Sequence, residues 1–120
     1  MDGTSEIDIR EDPDRRAFVL RVDGVEAGRV VHHRRRGGGD VPPAIVLVHT
    51  EVDDAYGGRG LAGQLVRAVF EAARAEGVAV VPRCPYAQQW LGKHPEYLGD
   101  VPARDRRELG LDEPHPQEAS

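Results

Sequence analysis

The sequence predicts an α/β domain of the α+β type, in which a mainly antiparallel mixed sheet carries one long and one short helix. Apolar segments at residues 16–22, 25–33 and 44–52 indicate strands, and residues 60–76 repeat their apolar side chains at helical spacing. Two of these strands are joined by a two-residue turn, which makes them antiparallel. With 120 residues, the chain has the length of one domain.

The first two predicted strands form a hairpin. Asp23-Gly24, between residues 16–22 and 25–33, is a strong signal for a two-residue turn. Because such a turn sets the register, we expect Val22 to face Val25, Arg21 to face Glu26, and Leu20 to face Ala27.

The third predicted strand, Ala44 to Val52, is almost continuously apolar, which indicates a central strand covered on both faces. Residues 37–43 before it are rich in glycine and proline and form a flexible connection. A helix over Gly60 to Glu76 follows, and Gly77 supplies its left-handed cap.

The rest of the chain contains one more strand and one more helix. Val78 to Val81 is a short buried strand that Pro82 ends, and a helix begins at Pro85 and stops before Pro95. Beyond Asp100 the chain is polar, so we expect a folded domain over residues 7–99 and a flexible tail over residues 100–120.

Charge and composition exclude several functional classes. A net charge of −5 argues against non-specific binding of nucleic acid or of anionic membranes. The longest apolar segment is too short to span a membrane, and the first six residues do not resemble a signal peptide. A single cysteine cannot form an internal disulfide, so we expect a cytoplasmic protein.

Two polar clusters have ordinary structural explanations. Arg34-Arg35-Arg36 is typical of a solvated strand end rather than of a nucleic-acid patch. His32 and His33 are adjacent and therefore point to opposite faces of a strand, so we expect no metal site.

The most informative segment is the glycine-rich turn between the central strand and the long helix. It contains Gly57, Gly58 and Gly60, which let the backbone bend sharply and approach a ligand closely. The start of a helix presents unpaired N–H groups and the positive end of its dipole. The segment is therefore suited to hold a phosphate or pyrophosphate.

Three phosphate-binding motifs are candidates for this turn. The P-loop pattern fails because no Lys-Ser or Lys-Thr follows the glycines. The segment 58–63, Gly-Arg-Gly-Leu-Ala-Gly, matches the dinucleotide fingerprint, and Arg83 at the end of the next strand keeps an NADP site open as an alternative. The third motif is the pyrophosphate loop of GNAT acetyltransferases, [Gln/Arg]-x-x-Gly-x-[Gly/Ala], which residues 57–62 resemble at the last three defining positions.

The resemblance extends to residues 49–52 (His-Thr-Glu-Val), 81–86 (Val-Pro-Arg-Cys-Pro-Tyr) and 94–97 (His-Pro-Glu-Tyr), which are similar to the small YjdJ-like branch of the GNAT superfamily. It covers roughly residues 7 to 99 and implies a minimal GNAT fold without the early helices of larger members. Two positions depart from the pattern: Gly57 replaces the usual leading Gln or Arg, and His32 stands where similar members often have Tyr.

The resemblance implies acetyl-CoA as cosubstrate. The CoA pyrophosphate would bind the loop amides, and the backbone of Val52 would pair with the pantetheine. The implied cofactor-binding residues are Val52, Gly57, Gly58, Arg59, Gly60, Leu61 and Ala62.

Three residues are candidates for catalysis. Cys84 stands where a strand ends and a helix begins, so the helix dipole and Arg83 would favour its thiolate, and the family repeats a cysteine at this place. His49 and Glu51 are two residues apart on the central strand, so they share a face and either could take a proton from an amine. Each also has a structural interpretation: Cys84 as a small buried residue, His49 as a core histidine, and Glu51 as a solvated strand end.

The general acid of larger GNAT enzymes, a tyrosine on the last helix, is not apparent. Trp90 lies near its expected place and has no titratable proton, and we expect Tyr86 to lie one helix face away.

The resemblance therefore implies an acetyl-CoA-dependent N-acetyltransferase, for which we expect no metal. Because the early helices are missing, an open acceptor face would suit a protein or polyamine amine better than an enclosed small molecule. The alternative is a non-catalytic acyl-CoA-binding module. The acceptor's identity and the oligomeric state stay open.

Overall fold

The structure, a computed structural model, describes residues 6–111. One sheet contains five strands, β1 Ile7–Asp12, β2 Ala17–Val22, β3 Val25–Arg35, β4 Ala44–Val52 and β5 Ala79–Pro82. The helices are α1 Leu61–Glu76, α2 Pro85–Lys93 and α3 Ala103–Leu109. Short 3₁₀ segments cover Pro13–Arg15, Asp54–Tyr56 and Pro95–Asp100.

The strands lie in the order β1-β2-β3-β4-β5, antiparallel except for the parallel pair β4 and β5. The predicted mainly antiparallel α/β fold is confirmed. Strand β1 was not predicted, because its charged pattern, Ile-Asp-Ile-Arg-Glu-Asp, gives a weak strand signal. A dinucleotide-binding fold is built on a mostly parallel sheet, so the NADP alternative does not fit this topology.

The main core lies between the sheet and helices α1 and α2. The apolar stripe of α1 packs on residues of β2, β3 and β4 that point to the same side. Side chains with no exposed surface in this layer include Leu20, Val30, Leu47, Leu65 and Phe70. We call this side of the sheet the α1 face.

The hairpin of β2 and β3 turns as predicted but differs in register. Asp23 and Gly24 both have positive φ angles, 51° and 87°. Leu20 pairs with Gly28 instead of Ala27, because the register shifts by one residue between Leu20 and Arg21. Ala27 is the extra residue of a β-bulge, which a turn-based register cannot anticipate.

The expected flexible tail is wrong for its first part. Residues 103–109 form α3, and Leu109 packs on Ala44, Val46 and Val81, on the side of the sheet opposite to the α1 face. Asp105 of α3 is buried and bonded to Arg35. The polar composition of this segment predicts no docking, whereas the structure attaches the helix through ion pairs of Asp105 and Glu108 as well as through Leu109. Residues 112–120 of the expected tail lie outside the described part of the chain.

The basic strand end is largely neutralised by ion pairs. Arg34 bonds to Glu11 of β1 and Glu76 of α1, and these two carboxylates raise the pKa of its guanidinium. Arg35 bonds to Asp105 and to a backbone oxygen of Pro42. Two of the three arginines therefore fasten the sheet to its flanking helices.

Two further features concern membranes and metals. In the described range, no helix is long and apolar enough to span a bilayer. Across residues 6–111, no group of three His, Cys, Asp or Glu side chains converges as metal ligands would.

Candidate active site

The candidate site begins where β4 and β5 separate, which we call the fork. The two strands pair only from Ala44 with Ala79 to Leu47 with Pro82. The N–H groups of Arg83 and Cys84 then both donate to the carbonyl oxygen of Leu47, at 3.0 Å each. Beyond this point β5 continues into α2, whereas β4 extends to Val52.

A β-bulge in β4 marks the same position. Val31 pairs with His49 and His32 pairs with Leu47, so Val48 is an extra residue, and its side chain is exposed. The bulge reverses the alternation of side chains beyond Leu47. As a result Thr50 lies on the α1 face, opposite buried Val30, and His49 lies on the other face.

One edge of β4 is open beyond the fork. The N–H of Asp53 donates to Ala27 of β3, and backbone groups of alternate residues point to the same edge. Thr50 and Val52 therefore direct their N–H and C=O groups away from β3, toward the side that β5 has left. This edge can pair with an extended ligand, as proposed for Val52 from the sequence.

The open edge leads to the glycine-rich turn, Gly57 to Gly60, and to the start of α1. Gly58 and Gly60 have φ angles of 79° and 74°, a region that favours glycine, and a Cβ on either would meet open space. Gly57 has an ordinary φ of −64°, so its backbone does not require glycine.

The first turn of α1 supplies backbone donors. Gln64 donates to Gly60 within the helix at 3.2 Å, which leaves the amides of Leu61, Ala62 and Gly63 without an intrahelical acceptor. Arg59 lies with its guanidinium 5.6 Å from the centre of the Tyr56 ring. The seven predicted cofactor-binding residues thus lie between the end of β4 and the first turn of α1, where Leu61 and Ala62 present backbone amides and the side chain of Leu61 is buried.

Cys84 lies at the fork as the N-cap of α2, and it is only 2% exposed. Its Sγ is 3.2 Å from the hydroxyl oxygen of Thr50, a contact that the sequence analysis did not anticipate. The expectation that Arg83 favours the thiolate of Cys84 is wrong, because the guanidinium of Arg83 bonds to Glu108 of α3 on the other side of the sheet. The thiol is therefore a buried group on the α1 face, next to a hydroxyl.

His49 and Glu51 share the opposite face of β4 from Cys84. Glu51 accepts a hydrogen bond from Arg29 at 3.0 Å, whereas His49 is exposed and has no side-chain partner among residues 6–111. The three candidate catalytic residues therefore line the open edge from two sides, with Cys84 and Thr50 on one and His49 and Glu51 on the other.

Arg29 is a second residue that the sequence analysis missed. Its guanidinium bonds to Glu26, Glu51 and Asp53, and these carboxylates raise its pKa against the opposing effect of burial. Glu51 is consequently held in an ion pair, while His49 is available to a ligand. Strand alternation could have placed Arg29 beside Glu51 only if the register between β3 and β4, with its bulge at Val48, had been known.

Both aromatic side chains of α2 that were considered for the general acid face α1. Trp90 is buried and stacks on Phe70, with ring centres 5.5 Å apart. The hydroxyl of Tyr86 lies beside the first turn of α1, 3.5 Å from the position that a Cβ on Gly63 would occupy. Tyr86 therefore faces the first turn of α1.

Comparison with known proteins assigns this architecture. A family model described as GCN5-related N-acetyl-transferase matches residues 17–101. The chain belongs to the GCN5-related N-acetyltransferase family. The matched span begins at β2 and includes the fork, the glycine-rich turn and α2. This confirms the GNAT resemblance.

Curated relatives agree with this assignment. Protein NATD1 from Xenopus tropicalis is 33% identical over 100 residues, which are 82% of this chain and 88% of the relative. Protein NATD1 from Homo sapiens is 33% identical over 94 residues, which are 77% of this chain and 80% of the relative.

Two solved structures have a similar fold. A ribosomal-protein-alanine N-acetyltransferase from Brucella melitensis biovar Abortus 2308 aligns with a TM-score of 0.53 and 22% identity, over 72% of this chain and 61% of that one. The aminoglycoside N-acetyltransferase AAC(6')-Iy, solved in complex with CoA, aligns with a TM-score of 0.53 and 17% identity, over 81% and 90%. At these identities the likeness establishes the fold alone.

Proposed function

We propose that the chain is an acetyl-CoA-dependent N-acetyltransferase of the YjdJ-like branch that acts on an amine of a protein or polyamine. The observation that carries the proposal is the open edge of β4. It offers backbone groups of Thr50 and Val52 to an extended pantetheine, and it leads to the unpaired amides of Leu61 and Ala62, which suit a pyrophosphate. Cys84 at the fork lies beside the place where the thioester would sit.

We propose direct attack on the thioester. The amine nitrogen bonds to the acetyl carbon, the carbon–sulfur bond breaks, and CoA leaves as a thiolate. His49 takes the proton that the amine loses, because it is exposed and unpartnered, whereas Glu51 is bound to Arg29. The burial of Cys84 supports a role in packing against the acetyl group and argues against an acetyl-cysteine intermediate.

The acceptor is proposed to approach the face of β4 that carries His49. Glu51 and Asp53 on this side are exposed, and the two carboxylates share a single guanidinium, Arg29. A cationic acceptor such as a lysine side chain or a polyamine is favoured by this local negative charge. A cytoplasmic location, which suits a chain with one thiol, would expose the enzyme to both kinds of amine.

A non-catalytic acyl-CoA-binding module is the competing function. The 2% exposure of Cys84 and the ion pair of Glu51 are the observations that favour it, because they leave His49 as the one candidate group ready for proton transfer. Both functions use the same binding surface.

Turnover separates the two functions. Purified chain is incubated with acetyl-CoA and a panel of lysine peptides and polyamines, and release of free CoA thiol is measured. We expect acetyl-CoA to bind in calorimetry, NADPH not to compete, and at least one amine to be acetylated. Binding without turnover across the panel would favour the module, and absence of binding would reject both functions.

A further inference from the structure

A polar cavity of about 730 Å³ lies between α3 and the connection from β3 to β4, on the side of the sheet opposite to the α1 face. Four guanidinium groups border it, those of Arg35, Arg83, Arg104 and Arg107. The first two belong to the ends of β3 and β5, and the last two lie one turn apart on α3. We call this cavity the α3 groove.

The α3 groove contains hydrogen-bond donors that the fold does not use. The guanidinium groups of Arg104 and Arg107 are exposed, and neither has a hydrogen-bond or ion-pair partner among residues 6–111. Within the same range Arg83 uses only its Nη2, which donates to Glu108, and its side chain is 50% exposed. These three arginines can therefore donate to a ligand without breaking a contact of the fold.

The carboxylates around the α3 groove leave part of this positive charge uncompensated. Asp105 and Glu108 are bonded to Arg35 and Arg83, so each of them neutralises one guanidinium. Asp40 also borders the groove, and its carboxylate has no partner in the described part of the chain. Two unpaired guanidinium groups of α3 stand against this single carboxylate. The groove therefore favours an anionic ligand, although the whole chain has a net charge of −5.

The α3 groove lies close to His49, on the same side of the sheet. The N–H of Arg83 donates to the carbonyl oxygen of Leu47, and His49 follows Leu47 by two residues on β4. This separation is roughly 7 Å along the strand. A polypeptide on this side of the sheet can therefore place a lysine at His49 and, a few residues away, an acidic side chain in the groove.

We propose that the α3 groove docks an acidic segment of a protein acceptor, next to the lysine that is acetylated. The proposal rests on the proposed function and narrows its acceptor to a protein, because a polyamine has no anionic group to place in the groove. The two ends of the surface have opposite charge, since Glu51 and Asp53 lie on the side of β4 that carries His49. Contacts between guanidinium and carboxylate groups would supply both affinity and orientation.

Fluorescence anisotropy measures this docking without turnover. The probe is a labelled peptide that has four aspartates separated by serines and contains no lysine. We expect the double variant Arg104→Gln/Arg107→Gln to bind it about tenfold more weakly than the wild type, and binding to the wild type to weaken as the salt concentration rises. Both side chains are exposed and glutamine favours helices, so the double variant should melt at the temperature of the wild type.

Arg16→Gln/Arg21→Gln is the matched control. It removes the same net charge, and neither guanidinium borders the α3 groove or has a partner between residues 6 and 111. This variant should bind the peptide within about twofold of the wild type. The inference is overturned if the wild type does not bind the peptide or if both double variants lose equal affinity. Tighter binding of a single-stranded oligonucleotide of the same charge would also overturn it, because the groove would then be a nucleic-acid site.

Acetylation assays connect the α3 groove to the proposed function. Lysine peptides with aspartates two or three residues from the lysine, on either side, are compared with the same peptides carrying asparagine. For the wild type we expect a KM about tenfold lower with aspartate at similar kcat, and the Arg104→Gln/Arg107→Gln variant should lose this difference. Equal KM values in the wild type would overturn the inference and leave the proposed function intact. If no peptide is acetylated, the proposed function fails, whereas binding of the lysine-free peptide that depends on Arg104 and Arg107 would still support the groove as a docking surface.

Discussion

The ion pair between Arg35 and Asp105 is expected to hold α3 against the sheet. Both carboxylate oxygens of Asp105 accept hydrogen bonds from Arg35, at 3.0 and 3.2 Å. The carboxylate is 3% exposed and the arginine side chain 23% exposed. Replacing Asp105 with alanine would leave a half-buried guanidinium that retains only its bonds to the carbonyl oxygen of Pro42.

The size of the effect follows from this burial. Removing one partner of a buried ion pair costs about 3–5 kcal/mol, because the other charge loses its compensation. Arg35 keeps its bonds to Pro42 and reaches water, so we expect a loss near the lower end, about 3 kcal/mol in the free energy of unfolding. For a domain of this size that corresponds to a fall of roughly 10 °C in melting temperature.

Urea unfolding followed by circular dichroism measures this change, with Glu108→Ala on the same helix as the control. Glu108 bonds to Arg83 at 2.9 Å, with both side chains at least half exposed, so its removal should change stability by less than about 1 kcal/mol. If Asp105→Ala is no less stable than Glu108→Ala, the ion pair does not hold α3 in place.

Three further outcomes are expected. Cys84→Ser should keep the free energy of CoA binding within about 1 kcal/mol and should keep turnover. His49→Gln should lower kcat about a hundredfold at unchanged CoA affinity. If the serine variant loses activity instead, an acetyl-cysteine intermediate is indicated. Hydrogen bonds from Arg15 and Arg29 lower the pKa of Glu26 to about 2. The contribution of this carboxylate to the free energy of unfolding should therefore be fully present above pH 4.5 and should fall by about 1 kcal/mol as the pH approaches 2. Glu26→Gln should reduce this decline when unfolding is measured across an acid titration. Gly60→Val, at a φ angle of 74°, should abolish CoA binding in calorimetry, whereas Gly38→Val, at a glycine with open space and no positive φ, should not.

Local patterns were sufficient for much of the fold. The spacing of apolar residues predicted α1, the continuous apolar segment predicted β4 with the bounds that the structure shows, and Pro85 predicted the start of α2. These features depend on neighbours in the chain, through turn geometry, helix periodicity and caps. The glycine-rich turn is of the same kind, because its positive φ angles are a local backbone requirement.

The arrangement of the site depended on contacts between distant residues. The bulge at Val48 decides that Thr50, and not His49, lies on the face of Cys84, and a bulge depends on how two strands pair. The ion pair between Arg29 and Glu51 joins strands β3 and β4. Helix α3 is attached by the ion pair between Arg35 and Asp105, which are 70 residues apart in the sequence. Sequence alone determined the fold class and the glycine-rich turn, because both follow from local backbone preferences. Only the tertiary structure decided which face each candidate group occupies, because ion pairs and strand register form between segments that the chain brings together by folding.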